Sequence, residues 1–132
     1  YNQDLEQAFP IEVQKLKDAI LNADGVIFVT PEHNRSIPAA LKNAIDWVSR
    51  PWGKNSFQGK HVLVMGASSG PIATAVAQQH LKQIMLYLDA HVIGQPEFYL
   101  GNVQDKFNDK GELTDEKTKG QIKNALAVLM SC

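Results

Sequence analysis

Gly25-Val26-Ile27-Phe28-Val29-Thr30-Pro31 is the stretch of the chain that decides its fold. The run from Val26 to Thr30 is apolar on both faces of an extended strand, which is typical of a strand buried inside a parallel sheet. Its length suits a strand and falls far short of the roughly 20 apolar residues that span a bilayer. Pro31 then ends the run, and a polar loop follows. The sequence therefore predicts a buried parallel strand over residues 26–30.

Helical and strand patterns alternate on both sides of this run. Apolar residues recur at helical spacing after Pro10 and again after Pro38, and proline is well tolerated in the first turn of a helix. The other predicted elements are a strand over His61–Met65, a long helix over 72–88, a weaker strand over 91–93 that extends toward Tyr99, and a helix that starts at Thr114-Asp115-Glu116. Helices between apolar strands imply an α/β fold, in which a parallel sheet carries helices on both faces.

Length and charge limit the classes of protein to which the chain can belong. Its 132 residues give room for one domain, over 1–132, with a hydrophobic core. Thirteen Lys and Arg against fourteen Asp and Glu give a net charge of −1, which disfavours nucleic acid as a partner. No run is long enough for a membrane span. The single cysteine, Cys132, cannot form an internal disulfide, and we expect a reducing, cytoplasmic location.

Two loops follow the predicted strands at the edge of the sheet where ligands of open α/β folds bind. The first is Pro31-Glu32-His33-Asn34-Arg35-Ser36-Ile37-Pro38, and the second is Gly66-Ala67-Ser68-Ser69-Gly70-Pro71. A helix follows each loop, so free backbone N–H groups are expected to face one crevice. The small residues of the second loop would let a flat, partly anionic ring approach the backbone. The alternative is structural: Asn34 and Ser36 form turns, and Ser69 caps a helix.

The second loop also fits the G-x-S-x-G pattern of a hydrolase nucleophile elbow, with Ser68 as the nucleophile. Only His80 and His91 follow it, and His80 falls within a predicted helix. A serine esterase is therefore an alternative that lacks a well-placed base. The histidines show no metal-ligand spacing, and no acid–base constellation stands out, so the sequence predicts neither a catalytic side chain nor a metal site.

The run from Thr30 to Trp47 resembles the signature of the NAD(P)H-dependent FMN reductase family, which includes bacterial quinone, chromate and azo-dye reductases. Supporting similarities occur in order at Gly59–Val62, at Gly66–Gly70 and at Phe107–Glu116. The resemblance implies a flavodoxin-like, three-layer α/β/α fold that binds FMN at the carboxyl edge of the sheet. It places FMN against two sets of residues: Pro31, Glu32, His33, Asn34 and Ser36 from the first loop, and Ser68, Ser69 and Gly70 from the second.

The same resemblance implies the reaction and the partners. NADPH or NADH would give hydride to the flavin, and a small quinone-like acceptor would then take the electrons. A homodimer or homotetramer is the family expectation, and a non-catalytic electron-carrier module is a further alternative. The first two strands of the family, with the loop that holds the FMN phosphate, have no counterpart in 1–132. We therefore expect the strand over 26–30 to be an exposed edge and FMN binding by this chain to be weak.

Overall fold

The computed structural model describes all residues from Tyr1 to Cys132. The chain forms four α-helices and four strands, and two 3₁₀ turns lie at Gln3–Leu5 and Val103–Lys106. The helices are α1 (Ile11–Asn22), α2 (Ala39–Val48), α3 (Ala75–Tyr87) and α4 (Glu116–Met130). The strands are β1 (Gly25–Thr30), β2 (His61–Ala67), β3 (His91–Val92) and β4 (Phe98–Leu100). None of the helices combines the length and the apolar character that crossing a bilayer requires.

Every strand pairing in the sheet is parallel, as the sequence predicts. β1 pairs with β2 along its whole length, from Gly25 opposite His61 to Thr30 opposite Gly66. β3 and β4 both pair with β2, one at its start and the other at its end. The predicted third strand is therefore broken into two pieces on one side of β2. β2 also runs two residues beyond its predicted end, because Gly66 and Ala67 pair with β4.

Helices cover both faces of the sheet and give the three-layer α/β/α arrangement. Alternate residues of β2 point to opposite layers, since successive side chains of a strand face opposite ways. Val62 and Val64 join the larger core with α1, α2 and α3, and Leu63 and Met65 join the smaller core against α4. The predicted fold class is confirmed.

β1 departs from the prediction of a strand buried on both faces. Val26 and Phe28 pack against the larger core. Ile27 and Val29, which point the other way, are 43% and 72% exposed. The reason is that β1 is the edge strand and α4 packs mainly over β2 and β4. The expectation of an exposed edge is confirmed, whereas the expectation of two-sided burial is wrong.

Two charged side chains form hydrogen bonds with backbone groups at helix ends. The buried Lys17 of α1 donates to the carbonyls of Val48 and Lys54, at 2.9 Å each, and so holds the end of α2. Burial lowers the pKa of Lys17. Asp115 begins α4 as its sequence predicts, because its carboxylate accepts the N–H of Thr118 at 2.8 Å. Hydrogen bonds from the hydroxyl and the N–H of Thr118 lower the pKa of Asp115 to about 2.

Candidate functional site

The first loop contains a tight two-residue turn. His33 and Ser36 exchange both backbone hydrogen bonds, each at 2.9 Å. The residues between them, Asn34 and Arg35, have φ values of 49° and 64°. Positive φ at both central positions defines a type I′ turn, a conformation that asparagine adopts readily. The turn interpretation of Asn34 and Ser36 is thus confirmed, and the turn presents Asn34 at the surface of the loop.

Glu32 ties this loop to α3. One of its carboxylate oxygens accepts the N–H groups of Val76 at 3.1 Å and Ala77 at 3.0 Å, and the other lies 3.2 Å from Arg35 Nη1. The side chain is only 9% exposed. The N–H of Ala77 and the Arg35 guanidinium hold the pKa of Glu32 below its usual value. The expectation that the N–H groups at the start of α3 are free is therefore wrong for Val76 and Ala77, because Glu32 occupies them.

A second contact joins the loop to α3 one turn further along. Ser36 Oγ lies 3.0 Å from Nδ1 of His80. Because Glu32 and Ser36 flank the tight turn, both ends of the turn are attached to the same helix. The sequence gives no signal for this, since each contact joins residues at least 44 positions apart.

The second loop is fixed by its neighbours rather than by a helix cap. Ser68 donates its N–H to the carbonyl of Leu100 at 2.9 Å, and its hydroxyl donates to the carbonyl of Gly70 at 3.1 Å. Ser69 is exposed and does not begin α3, which starts after Thr74, so the capping interpretation of Ser69 is wrong. A Cβ added at Gly70 would meet nothing closer than 4.0 Å, which leaves open space beside this loop.

A third loop, which the sequence predicts as a polar loop from Gly101 but does not place at the site, reaches the same edge after β4. A Cβ on Gly101 would lie 3.0 Å from the carbonyl oxygen of Gly70, so the second and third loops are in close contact. Asn102 follows in a left-handed conformation with φ of 49°. The available signal was a glycine shortly beyond the predicted strand, since glycine near a strand often marks a close approach of two backbones.

The ends of β1 and β2 meet at Gly66. A Cβ at this position would lie 2.1 Å from Thr74 Oγ1 and 2.5 Å from the carbonyl oxygen of Thr30, so only glycine fits. Ala73 and Thr74 have φ values of 54° and 66°, which α-helix cannot accommodate. α3 therefore starts at Ala75 and not at Ile72 as its apolar spacing predicts. This packing holds the first loop, the second loop and the start of α3 together.

A cavity of about 450 Å³ lies beside the first loop. Its volume is within the range of roughly 300–1,000 Å³ that is usual for small-molecule sites. Its wall comes from the first loop, from α2 and from α3: His33, Asn34, Ser36, Ile37, Ala39, Lys42 and Ile84. Pro31, Glu32 and the second loop share this edge of the sheet but do not line that cavity. Pro38, which precedes α2, provides no side-chain cap, so the first N–H groups of α2 remain donors beside it.

The geometry of a serine hydrolase is not present. The hydroxyl of Ser68 donates to a carbonyl within its own loop. His80 is bonded to Ser36, and the ring of His91 packs edge-on against that of His61, with ring centroids 5.1 Å apart. Neither His80 nor His91 is hydrogen-bonded to Ser68.

These features define the class of protein: a flavodoxin-like α/β/α domain whose loops converge at the carboxyl edge of a parallel sheet. The chain belongs to the NADPH-dependent FMN reductase family, whose sequence model matches residues 1–105. The family resemblance of the first loop is thereby confirmed.

Relatives of known name agree with this assignment. The chain is 43% identical over 119 residues to a 2-hydroxy-1,4-benzoquinone reductase of Burkholderia sp, covering 90% of this chain and 65% of that protein. It is 43% identical over 129 residues to a quinone reductase of Escherichia coli (strain K12), covering 96% of this chain and 68% of that protein. The solved structure of FerB, a flavoenzyme NAD(P)H:(acceptor) oxidoreductase from Paracoccus denitrificans, superposes with a TM-score of 0.86 at 40% identity, covering 99% of this chain and 70% of that chain. The chain thus spans about two thirds of the length of these proteins.

Replacing Gly66 with alanine tests the close packing between the ends of β1 and β2 and the start of α3. We expect Gly66→Ala to destabilise the fold by about 1–3 kcal/mol, because the new methyl group overlaps the Thr30 carbonyl and Thr74. Gly120→Ala in α4 is the matched control, since nothing lies within 4 Å of its added Cβ. Alanine favours a helix interior over glycine by about 0.8–1.0 kcal/mol, so the control should stabilise. Urea unfolding measures both changes, and equal effects of the two substitutions would contradict the close packing at Gly66.

Proposed function

We propose that the protein is an FMN-dependent NAD(P)H oxidoreductase that passes electrons to small quinone-like acceptors. The observation that carries the proposal is the attachment of the first loop to α3 through Glu32, which gathers the strand-end loops at one edge in a chain of this family. The names of the relatives, two of which are quinone reductases, support the acceptor class.

The residues at this edge suit a flat, hydrogen-bonding ring. Asn34 and Ser36 offer an amide and a hydroxyl at the cavity wall. The open space beside Gly70 admits a ring close to the backbone of the second loop. We propose that Pro31, Glu32, His33, Asn34 and Ser36 of the first loop and Ser68, Ser69 and Gly70 of the second hold FMN, with Glu32 contributing its backbone rather than its carboxylate.

Bound FMN would supply the redox chemistry, taking two electrons from NADPH or NADH and passing them to the acceptor. The protein itself would bind FMN and orient it. The uncapped N-terminus of α2 adjoins the cavity through Ala39, and its free N–H groups would stabilise negative charge on a group bound there. Hydride transfer to and from FMN would not require an acid–base side chain of the protein. A cytoplasmic setting is part of the proposal and is supported by the single, exposed Cys132.

Spectroscopy and turnover test this function together. Purified protein mixed with FMN should show bound-flavin absorbance bands and should oxidise NADPH or NADH steadily in the presence of a benzoquinone. Binding without turnover would instead favour an electron-carrier module. A fluorophosphonate probe should leave Ser68 unlabelled, whereas labelling that Ser68→Ala abolishes would favour the esterase. Absence of flavin binding at millimolar FMN would refute the proposal.

We further propose that the chain forms a homodimer or a homotetramer through the surface between α2 and α3. A groove continues from the site cavity along these helices, because Lys42 and Ile84 line both that cavity and the next, of about 400 Å³. At its far end lies a cavity of about 320 Å³ beside Trp52 and Tyr87, which are 80% and 75% exposed. Exposed aromatic side chains of this kind are enriched at protein interfaces.

Sedimentation velocity tests the assembly. The unmodified chain should sediment as a dimer or larger species, and Tyr87→Arg should shift it toward the monomer, because the new charge would be buried at the interface. Met130→Arg is the control, since Met130 is 86% exposed on α4, which lies on the other face of the sheet. A monomer at all concentrations, or equal effects of both substitutions, would refute this interface.

A further inference from the structure

The tight turn of the first loop includes one residue in a costly backbone conformation. Asn34 tolerates its left-handed backbone, whereas the same conformation costs conformational energy in Arg35. The backbone hydrogen bonds between His33 and Ser36 close the turn, but they do not orient it relative to the sheet. Contacts outside the turn must therefore fix where Asn34 and Ser36 lie.

Two such contacts exist, and both end on α3. Glu32 precedes the turn and accepts the N–H groups of Val76 and Ala77. Ser36 closes the turn and meets His80 at 3.0 Å. Val76, Ala77 and His80 span about one helical turn, so the loop is fixed at two points along one rigid element.

The carboxylate of Glu32 is well suited to this task. An anion is stabilised at a helix N-terminus by the unpaired N–H groups and by the helix dipole. Thr74, which precedes α3, makes no side-chain capping bond, so Glu32 provides the cap from a different loop. One carboxylate oxygen accepts two N–H groups, and the other faces the exposed guanidinium of Arg35. The carboxylate is thus engaged within the protein.

We propose that the side chain of Glu32 positions the first loop for FMN and does not itself contact the ring, and that His80 is the loop's second support. The proposal rests on the proposed function and revises the role that the family resemblance implies for the Glu32 side chain. In this arrangement α3 orders the turn before the ligand arrives, and FMN binding then costs less conformational entropy. If either contact is lost, Asn34 and Ser36 are still present, but the loop no longer holds them in a fixed position.

The experiment compares Glu32→Ala, Glu32→Gln and His80→Ala with Glu116→Ala. Glu116 is the matched control because it is an exposed glutamate in the first turn of α4, far from this loop in the chain. Two readouts are needed: the FMN dissociation constant from quenching of flavin fluorescence, and amide hydrogen exchange of residues 32–36 and 75–77 in the ligand-free protein.

We expect Glu32→Ala to raise the FMN dissociation constant at least tenfold and to speed exchange in both segments. Glu32→Gln should fall between wild type and Glu32→Ala, because its amide oxygen still accepts an N–H but carries no charge. His80→Ala should speed exchange in residues 33–36 and have a smaller effect on 75–77. The Glu116→Ala variant should match wild type in both readouts.

Each contrary result has its own meaning. Wild-type exchange in Glu32→Ala would overturn the positioning role, whether or not FMN binding changed. Weakened binding with unchanged exchange would make Glu32 a direct ligand of FMN instead. If the wild-type protein failed to bind FMN, the proposed function would fall, and the exchange data alone would still decide whether Glu32 orders the loop.

Discussion

The carboxyl ends of β1 and β2 approach the turn before α3 so closely that no side chain fits at position 66. The strands run in parallel register up to the pair Thr30 and Gly66, so their loops leave the sheet side by side. Thr74 Oγ1 fills the space that a Cβ would need. The site depends on this contact, because it fixes the distance between both loops and the helix that supports the first of them.

Charged side chains then link the helices to their neighbours across the fold. Glu32 lies at the N-terminus of α3, and Lys17 lies at the C-terminal end of α2. Lys60 similarly donates to the carbonyls of Leu21 and Ala23 at the end of α1. Each charge has the sign that the helix dipole favours at that end. The Glu32 contact lies at the strand-end loops, whereas the two lysines hold helix ends at the opposite edge of the sheet.

The spacing of apolar residues was sufficient to predict the architecture, but not the ends of the helices and strands that shape the site. The alternation of helices and strands, the parallel sheet and the Asp115 start of α4 all follow from local patterns. The apolar spacing places the start of α3 too early, because nothing in the side chains of Ala73 and Thr74 indicates a left-handed backbone. Tertiary packing imposes that conformation. β2 was predicted too short because its last pairings are with β4, whose register is not readable locally.

The candidate loops could also be located from sequence, since they follow the strands that the apolar runs define. The role of the Glu32 side chain could not, because its partners lie 44 and 45 residues away. Gly101 was overlooked for the same reason: its importance comes from its contact with Gly70. The exposure of Val29 is a property of strand order, which places β1 at the edge.

A titration of the isotope-labelled chain with FMN, followed by amide NMR, tests most directly whether the strand-end loops form the binding site. The resonances of His33, Asn34, Ser36, Ser69, Gly70 and Gly101 should shift together and saturate at one FMN concentration. Those of Trp52, Tyr87 and Asp89, around the cavity at the opposite end of α2 and α3, should stay in place. Saturable shifts confined to that second cavity, with none in the strand-end loops, would contradict the site.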